Sequence, residues 1–155
     1  TTPGDESWKE VKGRMYGYAF RAPETLTLVT FPNDPYDIYA ISQGETPPEQ
    51  NVLIGIDDLS KTDKRKKYIA LPKEQYVNSW WEQFGGLTGV ASIEPFTNEQ
   101  GLKGYKAKYI NSAGQTPNLD VFFEVPGKPN LVIHLANGIL DPIIFDKIVE
   151  SVSWK

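Results

Sequence analysis

Apolar and polar positions alternate most cleanly in the last third of the chain. There Leu119, Val121, Phe123 and Val125 share one side of a period-two run. Leu131, Ile133 and Leu135 repeat the pattern after Pro126-Gly127-Lys128-Pro129-Asn130, a connector whose prolines and glycine suit a reversal and cannot extend a ladder. The spacing predicts a hairpin. Pairing symmetric about Lys128 sets Val125 opposite Leu131, Phe123 opposite Ile133 and Val121 opposite Leu135, so one face becomes a continuous apolar strip. After Asn137-Gly138 the period changes. Asp141 is an N-cap acceptor, Pro142 holds the first helical position, and Ile144, Phe145, Ile148, Val149 and Val152 recur at three-and-four spacing. An amphipathic helix roofing the strip is expected. Upstream, Tyr105, Ala107 and Tyr109 alternate with Lys106 and Lys108 as a third strand, and the order strand, strand, strand, helix favours antiparallel pairing.

The N-terminal half yields further strands. Tyr16, Tyr18 and Phe20 alternate within Gly13 to Ala22 before Pro23, and Leu26 to Phe31, Tyr36 to Ser42 and Val52 to Ile56 follow. Residues 43–50, with Gly44, Pro47 and Pro48, read as a loop. Pro72 opens a helix over Lys73 to Phe84 that gathers Tyr76, Val77, Trp80, Trp81 and Phe84 on one face, and Gly85-Gly86 closes it. The adjacent tryptophans are expected to cover a sheet. Val90 to Phe96 is a strand edged by Pro95. The expected fold is therefore α/β in the α+β sense: a three-layer sandwich, a mostly antiparallel sheet with helices on both faces. It occupies residues 13–155 as one domain behind a flexible tether at residues 1–12.

Composition narrows the chemistry. A 155-residue chain with 39% hydrophobic and 23% charged residues can bury a single core, and a net charge of −4 gives no broad attraction to nucleic acid. No apolar run approaches the ~18 residues of a membrane span. The absence of cysteine excludes disulfides, thiolate catalysis and cysteine-ligated metal clusters. Thr1 to Ser7 is small, polar and turn-prone, as a tether after a removed signal or lipid-anchor segment would be. The expectation is thus an extracytoplasmic protein, periplasmic, secreted or lipid-anchored, that meets a membrane only through that removed anchor. A cytoplasmic protein is the alternative.

Candidate chemical groups are few. His134 is the sole histidine, which excludes histidine-clustered metal sites and most triads. The hairpin register sets it opposite Phe122, on the face away from Phe123, where a packed or hydrogen-bonded role is expected rather than that of a general base. Asp57-Asp58 reads as a turn and Asp34 with Asp37 as a looser pair. With Ser60, Thr62 and Asp63 the former offers oxygen ligands to a hard cation such as calcium, yet lacks the central Gly and closing Glu of a twelve-residue calcium loop. Gly85 to Gly89 follows a helix, whereas phosphate loops precede one. No catalytic, cofactor-binding or metal-binding residue is assigned. The most charged stretch supplies the one candidate surface, Lys61, Lys64, Arg65, Lys66 and Lys67: a solvated face or, more sharply, a docking patch for phosphate, anionic lipid or an acidic partner. Nucleic acid fits it least, because no stacking aromatics are interleaved.

The assembled pattern resembles the Mog1/PsbP-like family. The likeness is carried by Tyr16-Gly17-Tyr18-Ala19-Phe20-Arg21-Ala22-Pro23 as an opening aromatic strand and by the middle helix around Trp80-Trp81. It continues in Leu131 to Leu135 followed by Phe145 to Val152, a terminal strand and a helix ending F..I..S. The resemblance implies an antiparallel sheet between helices and a binding or assembly role without a shared catalytic motif. Family members include thylakoid-lumen photosystem subunits, a nuclear transport factor that binds a small GTPase, and bacterial exported lipoproteins. The last is the type expected here, with a protein partner in the cell envelope. The rivals are a small-molecule hydrolase built on carboxylates or tyrosines, and a cytosolic protein whose basic segment 61–67 docks a partner.

Overall fold

Several predicted strand runs stop at turn-forming residues: the strand from Val52 ends at Asp58, that from Leu87 ahead of Asn98 and that from Leu119 ahead of Pro126-Gly127. The structure, a computed structural model, describes residues 8–13, 16–24, 26–30, 39–42, 52–116, 118–137 and 140–154. In chain order it forms β1 (Trp8–Lys12), β2 (Tyr18–Pro23), β3 (Thr27–Thr30), β4 (Tyr39–Ser42) and β5 (Val52–Asp58), then α1 (Asp63–Lys66) and α2 (Lys73–Ser79). After these come β6 (Leu87–Thr97), β7 (Lys103–Asn111), β8 (Leu119–Glu124), β9 (Leu131–Asn137), α3 (Pro142–Ser151) and β10 (Ser153–Trp154). Short 3-10 turns at Leu59–Lys61, Lys67–Ala70 and Trp80–Gln83 flank α1 and α2. The loop 43–50 and the pair Asp34 and Asp37 lie outside the described residues.

A seven-stranded sheet in the order β3-β4-β5-β9-β8-β7-β6 is antiparallel at every pairing. The expected hairpin register is observed, with Phe123 opposite Ile133, Val121 opposite Leu135 and Phe122 opposite His134. β6 lies at the sheet edge, where Pro95 removes no ladder bond from a central strand. Helices cover both faces, so the α/β sandwich with an antiparallel sheet between helices holds.

One face of this sheet meets α3. Asp141 accepts from the Ile143 amide and Pro142 starts the helix, which turns Phe145, Ile148 and Val149 onto Ile54, Ile56, Val121, Phe123, Ile133 and Leu135. Two features of this side were not foreseen. The opening aromatic strand does not join the main sheet: β2 is the middle of a separate three-stranded sheet, β1-β2-β10, whose Tyr18, Phe20 and Ala22 enter the same core. Residues 8–12, assigned to the tether 1–12, are instead strand β1, paired from Trp8 opposite Pro23 to Lys12 opposite Ala19. Alternating charges at Lys9, Glu10 and Lys12 hid a strand that is only half-buried.

A second device locks α3. Asn98, in the turn after β6, donates from one amide to the Val149 and Val152 carbonyls at 3.0 and 2.8 Å. Its carbonyl accepts the Gln100 and Leu102 amides at 3.1 and 2.9 Å, so all its capacity as a clasp is used. Across β7, a side chain at Gly104 would begin 2.6 Å from the Phe122 carbonyl and 2.8 Å from the Phe123 ring. The gap is closed instead by Phe96 and Phe123, 5.4 Å apart.

Candidate functional site

The opposite face of the sheet is built differently. β7 turns Tyr105, Ala107 and Tyr109 toward α2, β8 contributes Phe122 and β9 Val132, and α2 with its following 3-10 turn brings Tyr76, Val77, Trp80 and Trp81. The expected helix over residues 73–84 is α-helical only to Ser79 and tightens at Trp80, which lays the Trp80 ring across the sheet. There it lies 5.0 Å from Tyr109, 4.9 Å from His134 and 4.6 Å from Phe84. Trp80 and Trp81 are thus partly buried cover rather than deep core.

His134 sits where the register set it. Its ring is stacked on Phe122 at 4.4 Å, roofed by Trp80, and its Nε2 lies 2.9 Å from an oxygen of Asp120, whose side chain is only 8% exposed. Burial by itself would lower the imidazole pKa, but the Asp120 hydrogen bond and the charges of Asp57 and Asp120 outweigh it and hold the pKa above its ordinary value. Sequence reasoning passed over Asp120. The signal was present, since Asp120 stands two residues from Phe122 on the same face of β8.

The carboxylate pair Asp57-Asp58 diverges as neighbours on a strand must. Asp57 accepts the Tyr76 hydroxyl at 2.9 Å on the helical face. Asp58 caps the next turn, accepting from the Ser60 amide at 3.0 Å, the Ser60 hydroxyl at 2.6 Å and Asn130 at 3.3 Å. Burial would raise the Asp58 pKa; Ser60, Asn130 and Lys61 reverse that and leave it lowered. Among the described residues no group of three or more His, Asp or Glu is placed to hold a metal ion. The phenols move the other way: burial first, then neighbouring carboxylates, push Tyr76, Tyr105 and Tyr109 above their ordinary range. Lys73 caps the turn before α2, donating to the carbonyls of Tyr68, Ile69 and Leu71 at 3.1, 3.1 and 3.2 Å. Burial lowers its pKa, with Glu124 acting against this, yet three carbonyl acceptors are satisfied only by the ammonium form.

The basic segment runs along the outer rim of this face. α1 and the 3-10 turn after it form a continuous right-handed coil, and its five predicted cations separate into two sets. Lys61 ends the preceding turn, and Lys66 forms an exposed ion pair with Asp63 at 3.3 Å. Lys64, Arg65 and Lys67 instead line a cleft of about 410 Å³ between this coil and α2, shared with Tyr68, Tyr76 and Ser79. The Arg65 guanidinium donates to the Gln83 carbonyl oxygen, and Gln83 in turn donates to the Trp80 carbonyl at 3.2 Å. The Lys67 ammonium lies 5.1 Å over the Tyr68 ring. None of the three makes an ion pair among the described residues; Glu82 and Asp63 also line the cleft, Asp63 in its exposed pair with Lys66. Gln83, which holds Arg65 in place, carries no sequence signal, because only the 3-10 tightening after Ser79 turns it toward α1.

No family model matches the sequence, and none of the curated proteins matches it either. Among solved structures, the chain is similar to the solution structure of cyanobacterial PsbP (CyanoP) from Synechocystis sp. PCC 6803. The TM-score is 0.60 at 14% sequence identity, covering 100% of this chain and 96% of that one. At that identity the likeness is one of fold, and it agrees with the architecture expected from the residues.

Proposed function

We propose that the protein is a non-catalytic binding or assembly module working outside the cytoplasm, and that it engages an acidic surface of a protein partner through the cations of segment 61–67. One observation carries this reading: Lys64, Arg65 and Lys67 converge on a single cleft without ion-pair partners among the described residues. Unpaired cations around a concavity raise the local concentration of anionic ligands and steer their approach. The polar groups beneath the helices favour the same reading over the hydrolase. Tyrosines whose pKa is displaced upward are protonated throughout the neutral range and make poor general bases, and His134 is closed between Phe122 and Trp80. The fold shared with a cyanobacterial PsbP is compatible with this reading.

The test is comparative capture from an envelope fraction with the wild-type chain and a Lys64→Glu, Arg65→Gln, Lys67→Glu variant, at low and high salt. Expected is a protein held by the wild type at low salt, released as ionic strength rises, and not held by the variant. Retention of the same partners by the variant would remove the basic face from the interaction. Detection of the native protein in the cytoplasmic fraction would overturn the proposed location.

A further inference from the structure

Resting on that docking face, we infer that a proton on His134 tightens the Trp80–Gln83 turn over the sheet and thereby fixes Arg65 at the cleft wall, so that the face docks best in a mildly acidic medium. A chain of contacts joins the two places. The His134 ring is stacked on Phe122 at 4.4 Å, and Trp80 lies 4.9 Å from His134 and 5.8 Å from Phe122. These separations set Trp80 nearly at right angles to the stacking direction, against the edge of the imidazole. Gln83, at the end of the same turn, donates to the Trp80 carbonyl at 3.2 Å and accepts from the Arg65 guanidinium. Whatever holds Trp80 therefore also holds Arg65.

The imidazole is the one ring beneath Trp80 whose charge changes near neutral pH. In both of its states Nε2 donates to Asp120, so the proton gained is carried on Nδ1. Among the described residues Nδ1 has no hydrogen-bond partner, and the aromatic rings meet the added charge. A cation is drawn to an aromatic π-system more strongly than a neutral ring is. The surrounding groups favour that cation. β8 presents Asp120, and β5 presents Asp57, two residues from Gly55, which pairs with His134. On α2, Tyr76 is bound to Asp57 and Lys73 is spent on three carbonyls; on β7, Tyr109 donates to the Val77 carbonyl and Tyr105 to Glu124 of β8. Glu82 of the turn itself lies on the cleft wall. Burial opposes the imidazolium, but the Asp120 hydrogen bond and the charges of Asp57 and Asp120 outweigh it, so the ring takes up its proton within reach of neutral pH.

The experiment follows the full chain by NMR between about pH 6 and 8, where the sole histidine gives an unambiguous titration. The hold on the turn is read from hydrogen exchange of the Phe84 amide, bonded to the Trp81 carbonyl at 3.1 Å, after correction for the intrinsic pH dependence of exchange. Its protection should fall about two- to fivefold as His134 loses its proton, the increment of one cation–π contact. In His134→Gln the protection should stay flat. In Gln83→Ala the His134 titration should persist. The envelope partner captured by the wild type should need more salt for release at pH 6 than at pH 8, and this difference should disappear in both variants. Protection that ignores pH in the wild type, or falls equally in His134→Gln, overturns the clamp, as does a salt difference that survives in both variants. If protection follows His134 while the partner is held alike at both pH values, the docking face stands and its control by the proton falls. If the triple variant also keeps that partner, the docking face falls as well.

Discussion

The two faces of the seven-stranded sheet solve the same burial problem with different chemistry. Under α3 the contact surface is aliphatic and aromatic, from Ile54 and Ile56 through Phe123 and Ile133 to Phe145 and Ile148. Under α2 the aromatic rings carry polar tips, and the layer includes the His134–Asp120 and Tyr76–Asp57 pairs at 2.9 Å each. Apolar packing is non-directional and tolerates no polar intrusion, so the first face is scaffold. The second must satisfy every buried donor and acceptor. Its helices are short and tightened into 3-10 turns, and on its outer rim Lys64, Arg65 and Lys67 make no ion pair among the described residues. The proposed docking surface lies on this second face.

If the α3 face is scaffold, cutting into it should cost most. Phe145→Ala removes a fully buried ring between α3 and the sheet and should destabilise by ~3–5 kcal/mol, a melting-temperature fall of roughly 6–20 °C for a chain of this size. Chemical denaturation reads it directly. A loss below about 1 kcal/mol would mean that α3 is not packed as described. Asn98→Ala comes next, at ~2–3 kcal/mol, because it leaves the Val149 and Val152 carbonyls without their clasp at the end of the same helix. A neutral outcome would show water replacing the amide at no cost.

How much of each face was legible follows from the same contrast. The α3 face announced itself, since period two in Leu119 to Leu135 and three-and-four spacing in Phe145 to Val152 come from one continuous apolar strip and its roof. Its exceptions were non-local. β1 is a half-buried edge whose charges alternate with Trp8 and Val11, and Asn98 acts on carbonyls more than fifty residues away. On the α2 face the pattern gave the helix but not its tightening at Trp80, because the rings that draw Trp80 down come from β7, β8 and β9. For the candidate site, the sequence supplied the cations and not their sorting. Lys66 turning to Asp63 while Lys64 and Lys67 line the cleft follows from the coil taken up over residues 63–70.

The α2 face should reveal itself by pH. The folded state holds the His134 pKa above its ordinary value, so the stabilisation is fully present below about pH 6.5 and is lost as pH rises through the higher folded value. Unfolding free energy should therefore fall between about pH 6 and 8. His134→Gln, which keeps a donor toward Asp120, should flatten that fall, and with a single histidine in the chain no other side chain ordinarily titrates there. A fall of the same size in the variant would move the proton elsewhere; a rise with pH in the wild type would contradict the pairing.

The smallest effect is the most discriminating. Replacing Lys64, Arg65 and Lys67 together by alanine deletes three charges and the Arg65 to Gln83 hydrogen bond, yet all three side chains line the rim and none is buried. Surface substitutions of this kind stay within about 0.5 kcal/mol. Removing mutually repelling cations even offsets part of the lost contact. Denaturation curves of this variant should overlay the wild type while salt-sensitive partner binding is lost. A large destabilisation would instead make the segment a strut holding Gln83 and Trp80 over the sheet, and the α2 face would then be scaffold as much as its counterpart. Stability and binding must therefore be measured on the same variant, since only their separation distinguishes a recognition surface from a brace.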